Sequence, residues 1–168
     1  YDGIVYCVEK GLMNGISETA FSPNGTVSRA QLVTILYRAA GSPATEFKNT
    51  FTDVADGLWY SDAIEWAAAN GVVNGVGDGK FAPDQSITRE QIATILYRYA
   101  GEPEVEGDLS AYPDGAEVSE FAVKAMIWAT SKGIITGAVK EGTTYLAPLD
   151  LATREQIAAV VMRYLEAK

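Results

Sequence analysis

The chain has no histidine and a single cysteine, Cys7, in 168 residues. Without histidine there is no imidazole for acid–base work, no Ser-His-Asp triad and no His-ligated metal. One cysteine rules out an internal disulfide framework and a Cys-rich zinc site. No apolar run approaches the roughly 18 residues of a membrane span, and no secretory h-region is present. The chain opens inside a helical pattern, as a mature fragment does. Basic residues are also scarce: 13 Lys and Arg stand against 22 Asp and Glu, a formal charge of −9. That balance argues against nucleic-acid binding, which depends on Lys and Arg neutralising phosphates, and against adhesion to an anionic membrane. With 48% apolar and 21% charged residues, the remainder is an ordinary globular composition, long enough to bury a core.

What the chain has in quantity is repetition. Gly11, Asn14, Gly15, Phe21, Pro23, Arg29, Gly41 and Pro43 recur 60 positions later as Gly71, Asn74, Gly75, Phe81, Pro83, Arg89, Gly101 and Pro103. A third copy carries Phe121, Trp128, Gly133 and Gly137 where the second has Trp59, Trp66, Gly71 and Gly75. Past an insertion near "VKEGTT", Pro148, Thr153 and Arg154 match Pro83, Thr88 and Arg89. The boundaries fall at 1–45, 46–105 and 106–168. The first copy is short, since Asp2 and Ile4 align with Asp62 and Ile64 and nothing corresponds to "FTDVADGLWY" (51–60).

Each copy has helical periodicity. Ile92, Ile95, Leu96 and Tyr99 form one apolar stripe, repeated by Leu32, Ile35, Leu36, Ala39 and by Ile157, Val160, Val161, Tyr164. A shorter helix carries Ala63, Ile64, Ala67 and Ala68 and stops at Asn70–Gly71, a left-handed cap signal. The glycine-rich "VVNGVGDGKFAPDQS" between them reads as a turn-laden loop with at most two residues of strand. The unit is helix–loop–helix, three times over.

Ser28, Thr88 and Thr153 are N-caps, and Gln31, Gln91 and Gln156 complete capping boxes. The next residue is an arginine in every copy: Arg29, Arg89, Arg154. A cation in the first helical turn opposes the helix dipole. Two explanations fit the residues. Each arginine pairs with an internal acid such as Asp53 or Asp84 and locks the repeats, or it clamps a visiting anion beside the helix-start amides.

The stretch "FTDV…WYSDAIEWAAANGVVNG…FAPDQSITREQIATILYR" resembles the S-layer homology repeat, with its F-x-D-V, its Trp before the first helix, its F-x-P and its T-R-A-E-type motif. The second copy matches nearly throughout, the first from Tyr1 on, and the third with "YPDG", Phe121 and the insertion as departures. The motif here reads S-R-A-Q, T-R-E-Q and T-R-E-Q, so glutamine replaces the acid. The resemblance implies an all-α fold: three helix–loop–helix repeats forming an intramolecular pseudo-threefold trimer, with a central helical bundle and three grooves. It also implies a cell-wall anchoring module at the bacterial surface. Such a module holds a covalently linked cargo domain to an anionic, often pyruvylated, secondary wall polysaccharide, with no cofactor and no catalysis of its own. Arg29, Arg89 and Arg154 become the ligand-binding candidates. If each faces the first-helix entrance of the following repeat, their order of importance is Arg29, Arg89, Arg154.

Other features weigh less. Trp59, beside Tyr60 at a helix entrance, is a candidate groove wall, whereas Trp66 and Trp128 read as core. Gly77 and Gly79 bring backbone amides close to a ligand or simply make a turn. "NGVGDGKFAPDQ" echoes a calcium loop but lacks acids at its first, third and twelfth positions, so no metal is expected. Cys7 aligns with Ala67 and reads as a small core residue. No carboxylate pair stands out for glycosidase chemistry, which leaves a peptide-binding scaffold as the rival to wall anchoring.

Overall fold

The computed structural model describes residues 1–17 and 20–168. Among them lie six α-helices: α1 (Asp2–Glu9), α2 (Arg29–Ala39), α3 (Ser61–Ala69), α4 (Arg89–Tyr99), α5 (Val123–Ser131) and α6 (Arg154–Glu166). The long helices α2, α4 and α6 each begin at a complete capping box, Ser28 with Gln31, Thr88 with Gln91 and Thr153 with Gln156. The cap side chain accepts the third-residue amide, and the glutamine oxygen accepts the cap's own amide. The short helices end where Gly11, Gly71 and Gly133 adopt φ 67°, the left-handed conformation that releases the chain from the helix.

The repeats exchange their helices. Short helix α3 packs on α2 of the preceding repeat, α5 on α4, and α1 on α6 at the far end of the chain. Gly3 permits the last contact, because a Cβ there would lie 2.7 Å from the Ala159 Cα. Between the long helices' starts runs a closed ring of backbone bonds. The Val27 amide donates to Ala152 at 3.1 Å, Ala152 to Ile87 at 3.0 Å, and Ile87 to Val27 at 2.9 Å. Val27 and Ile87 are fully buried at this ring, with Ala152 almost so. Leu32, Leu36, Leu96, Ile157, Phe81 and Leu146 extend the same core outward.

Two parts of the fold expectation are corrected here. The chain is not all-α: the third-repeat insertion forms an antiparallel hairpin, β1 (Ala138–Lys140) with β2 (Thr143–Tyr145), Val139 facing Thr144. Glu141 and Gly142 at its tip both have positive φ, the twist a two-residue hairpin needs. The expected central helical bundle is corrected too: what joins the three repeats at the centre is the ring of backbone bonds ahead of the long helices. The strongest helix contacts are of a short helix on a long one, while the Tyr99 ring of α4 meets the Trp66 ring of its own repeat at 5.8 Å and the Tyr164 ring of α6 at 5.6 Å, and the bridged segments ahead of the helices close the chain. Periodicity shows that a stripe is buried, not which helix buries it.

Candidate functional site

The three motif arginines occupy equivalent places, and none reaches an acid in an ion pair among the described residues. Each reaches the next repeat's loop instead. Arg29 Nε donates to the Phe81 carbonyl at 2.8 Å and its Nη2 to Asn74 at 3.4 Å. Arg89 does the same to Leu146 at 2.8 Å and Thr136 at 3.0 Å. Arg154 closes the circle on Phe21 at 2.8 Å and on Asn14. The guanidinium lies over the Phe81 ring in the first case, 4.7 Å from its centroid, and over Phe21 in the third, at 4.5 Å. The Nη1 of each arginine has no hydrogen-bond partner among the described residues.

The helix-start amides are occupied as well. Arg29 and Ala30 donate to Gln85 and Pro83, Arg89 and Glu90 to Asp150 and Pro148, and Arg154 and Glu155 to Gly25 and Pro23. The positive end of each helix therefore faces a neighbour's carbonyl oxygens. This resolves the oddity of an arginine there: the oxygens that take the amides are joined by others that take the guanidinium. The repeats do interlock through these arginines, but by carbonyls and not by acids. Burial pulls all three guanidinium groups below their ordinary pKa. For Arg29, repulsion from Arg98 adds to this and Asp53 partly offsets it; for Arg89, Asp150 and Asp114 offset burial while Arg163 opposes them.

Asp53 and Asp114 serve the same loops from the other side. Asp53 accepts the Phe81 and Ala82 amides at 2.8 Å each, and Asp114 accepts Leu146 and Ala147 at 2.9 and 2.7 Å. Burial raises Asp53, but the amides it accepts, with Lys80 nearby, outweigh that and hold it below the usual carboxylate range.

Two clefts open where three repeats meet. One, of about 470 Å³, is lined by Arg29 of the first repeat, by Asn74, Val76, Thr94 and Arg98 of the second, and by Phe121 of the third. The other, of about 220 Å³, is lined by Arg154 of the third repeat, by Asn14, Ile16, Thr34 and Arg38 of the first, and by Trp59 of the second. Among the described residues neither cleft has an aspartate or glutamate in its lining. Arg38 Nη1 donates to Leu12 at 3.1 Å, and Arg98 Nε lies 3.9 Å from Glu102. A related pairing joins Arg89 and Arg163, both donating to Thr136, through its carbonyl and its hydroxyl respectively.

Of the expected site residues, Arg154 and Trp59 come together in one cleft, while Arg29 lines the other with Phe121. The supposed pairing of Arg29 with the Trp59 entrance is thus replaced: each cleft's aromatic comes from the repeat after the one its arginine grips, and the derived ranking falls with it. Tyr60 is half-buried and stacks edge-on against the exposed Trp59, centroids 4.9 Å apart. Gly77 and Gly79 sit in an exposed turn closed by the Gly77–Lys80 bridge, outside both clefts. Arg38, Arg98 and Arg163 escaped the sequence reading. Their signal was the Tyr-Arg or Met-Arg pair in the last turn of each long helix, at the same spacing as the motif arginines. It passes for a favourable charge at a helix end. Cys7 is fully buried, its Sγ–H directed at the Ala158 carbonyl at 3.6 Å, and burial pushes its thiol up to about 11.

Comparison with known proteins bears on these clefts. Residues 1–33, 50–93 and 111–158 match the family described as S-layer homology domain. The chain is 37% identical over 159 residues to the surface-layer 125 kDa protein of Lysinibacillus sphaericus, 95% of this chain but 13% of that protein. It is 30% identical over 170 residues to the exoglucanase XynX of Acetivibrio thermocellus, 98% of this chain and 15% of that one. To cell surface glycoprotein 1 of Acetivibrio thermocellus it is 28% identical over 170 residues, 94% of this chain and 7% of that protein. The chain therefore spans a small fraction of the length of each of these relatives.

Proposed function

The chain belongs to the S-layer homology domain family, and from that premise we propose that it fastens a larger protein to the wall by holding an anionic, pyruvylated polysaccharide in its inter-repeat clefts. It is a surface-anchoring repeat module of the S-layer and cell-wall type. Its segment is common to a surface-layer protein and to an exoglucanase, so the shared part is an anchor and not a catalyst.

One observation carries the ligand reading. In a chain of net charge −9, each cleft is lined by two arginines and, among the described residues, no acid. Burial lowers Arg29 first and repulsion from Arg98 adds to it, and a bound carboxylate relieves that repulsion. Charge-assisted bonds from a guanidinium suit the acid of a pyruvyl ketal, and in each cleft the motif arginine and the second arginine, Arg98 or Arg38, supply the donors. Apolar neighbours, Val76 and Phe121 in one cleft, Ile16 and Trp59 in the other, suit the ketal methyl and sugar faces. Affinity is local, because the negative protein repels a polyanion at long range.

The test is co-sedimentation with purified walls before and after the secondary polymer is stripped. The parent pellets with intact walls only. An Arg38→Ala/Arg98→Ala variant, assayed below its Tm and folded by circular dichroism, stays in the supernatant. Equal pelleting of that variant, or pelleting of the parent with stripped walls, overturns the proposal. The second outcome favours a protein partner.

A further inference from the structure

Four Asn-Gly pairs stand in the chain: Asn14–Gly15, Asn24–Gly25, Asn70–Gly71 and Asn74–Gly75. Such a pair is open to self-modification, because glycine has no side chain to shield its own amide nitrogen. That nitrogen attacks the asparagine side-chain carbonyl when both groups are free to approach. The fold withdraws two of the pairs. The Gly25 amide donates to the Ser22 carbonyl at 3.0 Å and the Gly71 amide to Ala68 at 3.1 Å. Asn70 is held further, its Nδ2 donating to the Trp66 carbonyl at 2.8 Å.

Asn74–Gly75 has neither restraint. Both residues are exposed, and among the described residues neither the Asn74 side chain nor the Gly75 amide has a hydrogen-bond partner. No shielding residue can take the place of Gly75, since a Cβ there would lie 2.5 Å from the Lys80 carbonyl oxygen. The pair lines the larger cleft, where Arg29 Nη2 donates to the Asn74 carbonyl at 3.4 Å. In the third repeat Thr136 stands at this place, its carbonyl taking Arg89 Nη2 at 3.0 Å, so the loop forms without an asparagine. Asn14–Gly15 holds the matching place in the smaller cleft.

We propose that Asn74 is a deamidation site whose product closes the larger cleft to anionic ligands. The Gly75 nitrogen attacks the Asn74 side-chain carbonyl carbon. The new N–C bond forms, the bond to Nδ2 breaks, and ammonia leaves with the proton of the Gly75 amide. Water then opens the five-membered ring. Opening at the side-chain carbonyl gives aspartate. Opening at the main-chain carbonyl gives isoaspartate, in which the oxygen that Arg29 holds belongs to a free carboxylate. Either product sets a negative charge in a cleft that has Arg29 and Arg98 and, among the described residues, no acid. That charge pairs with the arginines and repels a second anion. The module thus carries a slow chemical clock that loosens its grip with age; this consequence rests on the anchoring proposal, whereas the modification does not.

To test it, the intact chain is aged in warm, mildly alkaline buffer and mapped by peptide mass spectrometry. Asn74 should convert roughly fivefold or more faster than Asn24 and Asn70, since an amide hydrogen bond must first open at each of those. In denaturant the three rates should converge. Comparable rates in the folded chain, or the same ratio in denaturant, overturn the site. Fresh Asn74→Asp protein tests the closure. Its new carboxyl, followed by NMR, should titrate below the ordinary aspartate value of about 3.9. Wall binding should weaken roughly tenfold or more, whereas Asn24→Asp, which adds the same charge outside both clefts, should not weaken it. A carboxyl that titrates at or above the ordinary value, or an Asn74→Asp protein that holds walls as the parent does, refutes the closure. A parent that ignores walls refutes the anchoring proposal alone, and the mass map and the titration still decide this one.

Discussion

Replacing Arg29 by alanine separates holding the repeats together from holding a ligand. The Arg29 side chain is 6% exposed, bonds the Phe81 and Asn74 carbonyls and covers the Phe81 ring. Removing it orphans a carbonyl inside the interface, at about 1–3 kcal/mol, and forfeits a cation–π contact of about 0.5–1 kcal/mol. The longer bond at 3.4 Å adds little. The sum is on the order of 3 kcal/mol. For a domain of this size that corresponds to a fall in Tm of roughly 6–12 °C. Lysine restores one donor but neither the fork nor the flat stack, so Arg29→Lys should fall about half as far. The control is Arg98→Ala in the same cleft. That side chain is half-buried and meets the exposed Glu102 at 3.9 Å, a contact worth about 0–1 kcal/mol. Scanning calorimetry of the three variants is the assay, with wall binding measured well below every Tm. An Arg29→Ala protein that melts with the parent would refute the interlock. In that case the arginines serve a ligand alone.

Other outcomes follow from the same geometry. The isolated second repeat (46–105) should not fold, because α3 and α4 take their partners from the first and third repeats; a cooperative melt by circular dichroism would contradict the helix exchange. Asp53 is held below its unfolded pKa, so its contribution is complete above about pH 4 and is lost as pH falls through the lower folded value. Asp53→Asn should therefore lower Tm at pH 7 and flatten its decline below about pH 4; an unchanged acid limb sinks the assignment. Trp59 is 62% exposed while Trp66 and Trp128 are 8% and 4% exposed, so wall oligosaccharide entering the smaller cleft should shield one tryptophan from acrylamide. Trp59→Phe should abolish that shielding. Cys7 should resist alkylation at pH 8 in the native state and react on unfolding.

The legible part of this molecule was what one stretch of chain decides by itself. Ser28-x-x-Gln31 and its two copies specify helix starts through bonds closed within four residues, and the structure has all three. Ile92, Ile95 and Leu96 of the α4 stripe are buried as their spacing requires, and Tyr99 is half-buried. Pairing between distant segments was not legible. Leu32 and Leu36 need an apolar cover, but their spacing does not say which helix supplies it: the Trp66 ring of α3 meets both Tyr37 of the preceding repeat and Tyr99 of its own. The hairpin at Ala138–Tyr145 looked like a mere insertion, since its strands are three residues each and carry no period long enough to read.

The arginines show the limit most sharply. A guanidinium at a helix start reads as a charge awaiting an anion, and at Arg29, Arg89 and Arg154 two of its three nitrogens are met by uncharged carbonyl oxygens. Backbone acceptors have no letter in the sequence, so no inspection of side chains finds them. The cleft's second cation was written plainly in Arg38 and Arg98, yet it became meaningful only when the loop of one repeat brought them opposite the arginine of another. The interlock and the clefts are thus products of one contact. Arg29 and Arg154 fix the neighbouring loop with Nε and Nη2 while lining a cleft, so the bonds that assemble the repeats also set a guanidinium at its wall.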